Sequence, residues 1–268
     1  MTHALQALAG RRVVVTRSQT QAGELVDNLR AMGAQPILLP LIAIEPVADT
    51  SELDRAIRSL RAYDWVIFTS TNTVSAFWLR LPAAGRGAAD LAGMAVAAVG
   101  PATAMALIER GVYPWLMPPV YMNEAIAAHI GPIAGRCILL PQSALARDSL
   151  ALELRRLGAS VDAIAAYRTV QAEPDAPAWG ELGRGVDAIL FTSSSTVRNF
   201  VQLASANAGA GARAGQAVIA CIGEKTAHTA RELGLTVHVT ASEHTVNGLI
   251  RSLADYFAAN PSVLENLC

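Results

Sequence analysis

An internal duplication is the feature of this sequence that most restricts its fold. Residues 64–77 (DWVIFTSTNTVSAF) match residues 187–200 (DAILFTSSSTVRNF) at an offset of 123, with seven of fourteen positions identical. The same offset aligns residues 99–104 (VGPATA) with 222–227 (IGEKTA), and an offset of 125 aligns 29–33 (LRAMG) with 154–158 (LRRLG). Three matching segments in the same order indicate that one structural unit occurs twice in the chain.

Each copy alternates apolar segments with amphipathic ones. Fully apolar, β-branched segments predict strands of a sheet covered on both faces, and they occupy residues 13–15, 65–68, 95–99, 188–191 and 218–222. Helical stripes lie between them, such as Leu25, Val26 and Leu29 ahead of Gly33, which has the position of a C-terminal cap. Strands that alternate with such helices form parallel sheets. The sequence therefore predicts an α/β fold of two duplicated, doubly wound parallel-sheet domains.

Two further segments complicate a simple tandem division near residue 130. Residues 42–46 and 165–170 each follow a strand and a helix, yet both have an extended pattern of their own. Both also lead into acidic, proline-containing turns, at Glu45 and at Glu173. Two extended crossings are what a chain needs if it leaves one domain, builds the other and returns.

Composition and charge exclude several partners. The net charge is −1 and no Lys/Arg-rich run occurs, which argues against nucleic acid. The apolar runs are too short for a membrane span, and the N-terminus lacks the pattern of a secretory signal, so we expect no membrane and a cytoplasmic location. Cys137, Cys221 and Cys268 have no metal-ligand spacing and are expected to be free thiols in a reducing compartment.

No cofactor is predicted. The sequence contains neither a G-x-G-x-x-G nor a G-x-x-x-x-G-K-[ST] motif, so nothing supports a bound nucleotide. The five histidines are scattered and lack ligand spacing, so we expect no metal site. There is no G-x-S-x-G motif for serine-based hydrolysis. Asp64 and Asp187 begin their predicted strands, at the edge of the sheet away from a ligand site, where a role in the turn is the simpler interpretation.

The predicted carboxyl ends of the strands carry hydroxyls and small residues. In doubly wound sheets, ligands bind at this edge, where the next helix begins. One interpretation is helix capping, because Ser and Thr accept hydrogen bonds from the first N–H groups of a helix. The other is collective anion binding by helix N-termini. The six strand ends are residues 16–18, 69–71, 100–103, 141–143, 192–195 and 223–226.

Two classes of function remain open from the residues alone. A bilobal binding protein or sensor could close on a small anion without catalysis. An enzyme could equally use such a site if its substrate is reactive enough for positioning to do most of the work.

Several of these segments resemble the uroporphyrinogen-III synthase family. The resemblance rests on the ordered combination of residues 63–70 (YDWVIFTS), 98–104 (AVGPATA), 166–170 (AYRTV), 191–193 (FTS) and 222–227 (IGEKTA). It implies interleaved domains: 1–41 with 171–268, and 46–165. Residues 42–45 and 166–170 would then form a two-stranded β linker.

The resemblance also implies a reaction. The substrate would be hydroxymethylbilane, a linear, carboxylate-rich tetrapyrrole that loses water and closes with ring D inverted through a spiro intermediate, in a cleft between the domains. The implied class is a cyclising hydro-lyase without cofactor or metal. Because no segment resembles a coiled coil or a broad apolar helix face, we expect a monomer, which could make transient contact with the preceding pathway enzyme.

The family's candidate proton donor corresponds to Tyr167. A tyrosine hydroxyl, whose pKa in solution is about 10, can donate a proton without ionising at neutral pH. The alternative is an ordinary strand aromatic packed at the hinge.

The resemblance assigns substrate binding to Thr69, Ser70, Thr103, Ser193, Lys225 and Thr226; Ser143, at a predicted strand end, is a further candidate. Arg17 and Arg147 are candidate carboxylate partners, with a solvated arginine as the alternative for each.

Overall fold

The structure, a computed structural model, describes residues 7–207 and 215–260, so Cys268 lies outside the described residues. The described chain divides into two compact units. Unit 1 holds the residues up to Ala43 and those from Val170 onwards, and unit 2 holds Ile44–Thr169. Both boundaries lie within the segments predicted to cross between domains.

Strands and helices alternate along the chain. The strands are β1 Arg12–Val15, β2 Gln35–Leu38, β3 Ile42–Pro46, β4 Trp65–Phe68, β5 Ala95–Ala98, β6 Cys137–Ser143, β7 Ser160–Gln171, β8 Ala188–Phe191, β9 Val218–Cys221 and β10 Val237–Thr240. The described α-helices are α1 Gly23–Ala31, α2 Ser51–Arg58, α3 Thr71–Arg80, α4 Pro101–Ile108, α5 Asn123–His129, α6 Ser149–Arg156, α7 Ala176–Gly183, α8 Ser194–Ala206, α9 Glu224–Glu232 and α10 Val246–Ala259.

Unit 1 is built on a five-stranded sheet in the order β10-β9-β8-β1-β2. Its strands pair in parallel, β1 with β2 and β8, and β9 with β8 and β10. Alternate strand residues enter different cores: Val13 and Val15 pack with α1 and α10, whereas Val14 packs with α7, α8 and α9. Helices therefore cover both faces of the sheet, which explains why its central strands β8 and β9 are apolar at every position.

Unit 2 repeats this design with the order β3-β7-β6-β4-β5. Strand β4 pairs in parallel with β5 and β6, and β6 pairs in parallel with β7. Phe68 packs against α2, α3 and α4 on one face, whereas Ile67 packs against α5 and α6 on the other. Phe68 and Phe77 meet edge to face at 5.3 Å, and Phe191 and Phe200 repeat that contact in unit 1 at 5.4 Å. The prediction of two duplicated, doubly wound α/β domains is confirmed.

The two crossing segments belong to strands β3 and β7, which are neighbours in one sheet. The predicted return segment was short, but β7 runs for 12 residues without a break. Arg168 on β7 donates to Glu45 on β3 at 2.8 Å. The strand is longer because residues 160–164 belong to the sheet of unit 2 and lead directly into the predicted crossing segment, 165–170. No turn-forming residue separates the two.

The structure also bears on the predictions for the cysteines and for membrane spans. Cys137 and Cys221 are free, and burial raises the pKa of Cys221 to about 12, which makes it an unreactive thiol. No helix within the described ranges combines the length and apolar character that a membrane span requires.

Candidate functional site

In unit 2, four neighbouring strands bring predicted site residues to one edge of the sheet. Tyr167 lies on β7, Ser143 ends β6, and Thr69 and Ser70 follow β4. Thr103 lies in the first turn of α4, which follows β5. Because β7, β6, β4 and β5 are consecutive in this parallel sheet, their carboxyl ends form a continuous row.

Tyr167 joins the core of unit 2 to this row. Its side chain is 9% exposed and packs with Ile164 and Ala166 in the cluster covered by α2, α3 and α4. Its hydroxyl lies 3.4 Å from Oγ of Ser70. Ser143 lies opposite Tyr167 in the β6–β7 register. The structure thus brings three predicted residues together, with an anchored ring and a hydroxyl directed to the strand ends.

Ser70 and Ser193 each cap the helix that they precede. Oγ of Ser70 accepts from the backbone N–H of Thr73 at 3.2 Å, and Oγ of Ser193 accepts from that of Thr196 at 3.3 Å. The capping interpretation is therefore correct for both. Each hydroxyl also has a side-chain partner: Oγ of Ser193 donates to Oγ1 of Thr196 at 3.3 Å, and Oγ of Ser70 lies 2.8 Å from Oγ1 of Thr73, where either atom can be the donor. Ser70 therefore has a proton to donate to a ligand when Thr73 donates to it.

Four of the six predicted strand ends lead directly into helix N-termini. These helices are α3, α4, α8 and α9, capped by Ser70, Gly100, Ser193 and Gly223. The other two are strand ends as predicted, but no α-helix follows them directly. Residues 16–18 lead into a 3-10 turn before α1, and residues 141–143 continue β6, with α6 starting only at Ser149. Strand β4 pairs with β6 only as far as Leu139, so at Pro141 only β7 lies beside β6. A proline, which has no N–H to donate, is tolerated at a position that is paired on one side only.

In unit 1, the ends of β1, β8 and β9 bring together Arg17, Ser193 and Lys225 on one sheet edge. Oγ1 of Thr16 donates to the carbonyl of Leu190 at 2.7 Å, which ties the end of β1 to β8. Oγ of Ser194 donates to the carbonyl of Lys225 at 3.3 Å, which ties the starts of α8 and α9 together. Two helix N-termini and one guanidinium therefore share an edge.

Arg17 has the electrostatic character of an anion-binding residue. Burial lowers its pKa, and the opposing influence of Glu24 is smaller. Among the described residues no carboxylate lies within ion-pair distance of Arg17, whose Nε instead donates to Oε1 of Gln21 at 3.4 Å. A partly desolvated guanidinium without a counter-ion gains most from a bound carboxylate.

The remaining predicted residues differ in how far they are exposed. Thr103 and Thr226 are both 5% exposed, so their hydroxyls offer a ligand little surface. Lys225 and Arg147 are exposed, and Arg147 lies in the turn between β6 and α6. For Arg147 the solvated interpretation therefore fits the structure as well as a ligand contact does.

Two aromatic residues at these edges were not predicted. A Cβ atom built on Gly100 would lie 3.6 Å from Cβ of Tyr121, and one built on Gly223 would lie 2.9 Å from Cδ2 of His244. Each ring is thus beside the glycine that caps α4 or α9. Tyr121 and His244 are separated by 123 residues, so the offset of the duplication could have found them.

The described residues include no evident set of ligands for a metal ion. Within residues 7–207 and 215–260, no three His, Cys, Asp or Glu side chains lie close enough to hold one.

Comparison with known proteins identifies the family. Residues 23–251 match the family described as "Uroporphyrinogen-III synthase HemD". The chain is 34% identical over 257 residues to the uroporphyrinogen-III synthase of Synechococcus elongatus, covering 94% of this chain and 97% of that protein.

Solved structures share the fold. The uroporphyrinogen-III synthetase of Helicobacter pylori aligns with a TM-score of 0.60 at 15% identity, over 90% of this chain and 96% of that chain. A mutant uroporphyrinogen III synthase of Thermus thermophilus aligns with a TM-score of 0.56 at 20% identity, over 96% and 99%. On the strength of the sequence matches, this chain belongs to the uroporphyrinogen-III synthase family, whose members are enzymes of heme biosynthesis.

Proposed function

We propose that this chain is a cyclising hydro-lyase that converts hydroxymethylbilane to uroporphyrinogen III. The observation that carries the proposal is the Tyr167 hydroxyl, held 3.4 Å from Ser70 at the carboxyl ends of the strands in a chain of this family. Fixed hydroxyls and helix N-termini suit a substrate that is reactive by itself and needs placement more than strong acid catalysis.

The proposed first step is loss of the hydroxymethyl oxygen as water. Tyr167 donates its proton to that oxygen while the carbon–oxygen bond breaks, which leaves a delocalised azafulvenium cation. The developing tyrosinate is stabilised by the hydroxyl of Ser70, which donates to it while accepting from the backbone N–H and the hydroxyl of Thr73.

The proposed second step is attack by the substituted carbon of ring D on this cation. A new carbon–carbon bond gives the spiro intermediate, from which the original bond to that carbon breaks and re-forms at the free α-carbon of ring D, on the other side of its nitrogen. Loss of a ring proton then restores the pyrrole, and that proton regenerates Tyr167. The outcome is a closed macrocycle with ring D inverted.

Substrate carboxylates are proposed to bind to groups at the carboxyl ends of the strands. Backbone N–H groups at the starts of α3, α4, α8 and α9 are suited to anions. The proposed side-chain contacts are Arg17, Thr69, Ser70, Thr103, Ser143, Arg147, Ser193, Lys225 and Thr226. Arg17 has the strongest support because its guanidinium is partly desolvated without a carboxylate partner in the described chain.

The proposal extends to the setting of the enzyme. We propose that it works in the cytoplasm as a monomer, free to make transient contact with the preceding pathway enzyme. Equilibrium sedimentation of the purified protein tests the monomer.

Product analysis tests the proposed function. Freshly made hydroxymethylbilane is supplied to the protein, and the isomers are separated after oxidation. An excess of the type III isomer over the type I isomer that forms spontaneously is expected. Type I alone, together with tight tetrapyrrole binding, would instead establish the sensor, which no observation so far favours.

Arg17→Gln is predicted to raise KM for hydroxymethylbilane by about ten-fold or more, since a hydrogen bond between charged groups contributes roughly 1.5–3 kcal/mol. Initial rates over a range of substrate concentrations measure it. Arg30→Gln is the matched control, because Arg30 lies on α1 of the same unit with a side chain 67% exposed. Equal KM values for the two variants would remove Arg17 from the binding site.

A further inference from the structure

The duplication extends to two loops that precede helices at the proposed site. The offset of 123 places Tyr121 on His244 and Met122 on Thr245. Met122 and Thr245 are the N-terminal caps of α5 and α10, with φ/ψ of −126/147° and −125/162°. The two loops therefore have the same backbone conformation at the same point of the repeat, although their sequences differ.

Both loops place a ring beside an equivalent glycine. Gly100 and Gly223 are also 123 residues apart, and each caps the helix that follows its strand. Neither glycine has a φ that requires glycine, since −152° and 179° are extended. At Gly223 the reason for glycine is space, because a Cβ atom there would lie 2.9–3.2 Å from three ring atoms of His244.

The rings are close to the site yet remain open to solvent. Tyr121 is 58% exposed, and its neighbours Val120 and Met122 are each 55% exposed. His244 is also exposed. A large apolar surface exposed beside helix N-termini has no evident role in stabilising its own unit, since exposed apolar area contributes no burial.

We propose that Tyr121 and His244 are positioning residues, each of which offers, within its own unit, a ring face on which a pyrrole ring of a tetrapyrrole stacks. A pyrrole with carboxylate side chains presents a flat apolar face and an anionic edge. Each unit offers the matching pair of features: an exposed ring face, and helix N–H groups at the capping glycine beside it.

The inference rests on the proposed function but goes beyond it. It assigns each unit one contact with a pyrrole ring, at the same point of the duplicated repeat. Tyr121 and His244 take no part in proton transfer; they fix where the rings lie, and therefore which carbon of ring D meets the cation.

Paired substitutions separate stacking from other roles. Tyr121→Phe and His244→Phe keep a flat ring, whereas Tyr121→Leu and His244→Leu keep apolar bulk without one. Each Leu variant is expected to raise KM about ten-fold, a typical effect of losing one stacking contact, and to increase the fraction of type I product. Each Phe variant is expected to restore both values close to wild type.

Tyr113→Leu is the matched control for an exposed tyrosine. Tyr113 is 76% exposed and follows the C-terminal end of α4, at the opposite edge of the sheet from Gly100. No change in KM or in isomer ratio is expected for it.

A second variant moves one ring without removing it. Gly223→Ala places a methyl group 2.9 Å from Cδ2 of His244, so the ring must shift. The variant is expected to have the same higher KM as His244→Leu. In the double variant, Gly223→Ala is expected to raise KM little beyond the value of His244→Leu, because the ring that it would displace is already absent.

The outcomes distinguish this inference from the function on which it rests. If wild-type protein forms no excess of type III isomer, the proposed function fails. If wild type forms it and the Leu variants match wild type in KM and isomer ratio, the stacking pair alone is overturned. Phe variants as impaired as the Leu variants would also overturn stacking, since they retain the ring faces.

Discussion

Tyr167→Phe is expected to lower kcat for uroporphyrinogen III formation by about 100-fold or more, the usual contribution of a positioned general acid. The substitution removes one hydroxyl and retains the ring. If Tyr167 supplies the proton that carries off the hydroxymethyl oxygen, kcat falls while KM changes little, because the lost interaction is made in the transition state. Steady-state rates with product separation measure both.

Folding should be nearly unaffected by this change. The ring of Tyr167 remains packed among Ile164 and Ala166, and the lost contact with Ser70 is long for a hydrogen bond at 3.4 Å. The melting temperature of Tyr167→Phe is therefore expected to match that of wild type.

Tyr63→Phe supplies the matched control. The hydroxyl of Tyr63 donates to Asp162 at 2.6 Å, and Tyr63 lies just before β4, at the opposite edge of the same sheet. The identical chemical change there is expected to reduce stability by about 1 kcal/mol, the usual contribution of a hydrogen bond, and to leave kcat unchanged. Wild-type kcat in Tyr167→Phe would make Tyr167 a packed strand aromatic, the simpler of its two interpretations.

Much of the fold could be predicted because it follows from local patterns. The runs at 65–68 and 188–191 are strands β4 and β8 with the predicted bounds, since four successive apolar, largely β-branched or aromatic residues leave few alternatives. Gly33, predicted as a C-terminal cap, and Gly158, which the duplication aligns with it, have φ of 78° and 90°. Only glycine adopts that conformation readily, so its position marks the end of a helix.

The site was less predictable because its geometry depends on neighbours distant in sequence. Ser143 ends β6 as predicted, but pairing with β7 extends that strand and α6 does not begin until Ser149. The type of a residue also does not reveal how deeply it is buried. Thr103 and Thr226 were predicted to bind substrate through their hydroxyls, yet each is 5% exposed. Tyr121 and His244 could not be predicted as site residues because their positions beside Gly100 and Gly223 depend on the folded chain.

Asp187→Ala is expected to lower the free energy of unfolding by about 3 kcal/mol, the lower range for breaking a buried ion pair. One carboxylate oxygen of Asp187 accepts from Nη1 of Arg11 and the other from the backbone N–H of Arg12, both at 2.7 Å. The side chain of Arg11 is 9% exposed, and its guanidinium carbon lies 4.4 Å from the ring centroid of Phe257. Without Asp187 the guanidinium is left buried and unpaired.

The duplication provides the control for this prediction. Asp64 makes the same two contacts, with Nη1 of Arg136 at 2.7 Å and the backbone N–H of Cys137 at 2.8 Å, and these hydrogen bonds lower its pKa. Arg136, however, is 58% exposed, so water can solvate it once the carboxylate is gone. Asp64→Ala is therefore expected to destabilise the protein clearly less than Asp187→Ala in chemical unfolding.

A third variant identifies the cause of the difference. If the cost of Asp187→Ala comes from an unpaired buried charge, the second change Arg11→Met should recover much of it, because a methionine of similar length can pack against Phe257 without a charge. If the cost comes instead from the lost acceptor for the Arg12 N–H, Arg11→Met will recover nothing, and Asp64→Ala will be as destabilising as Asp187→Ala. The duplicated aspartates thus separate charge burial from backbone hydrogen bonding within one chain, since both keep the backbone contact and only one buries its arginine.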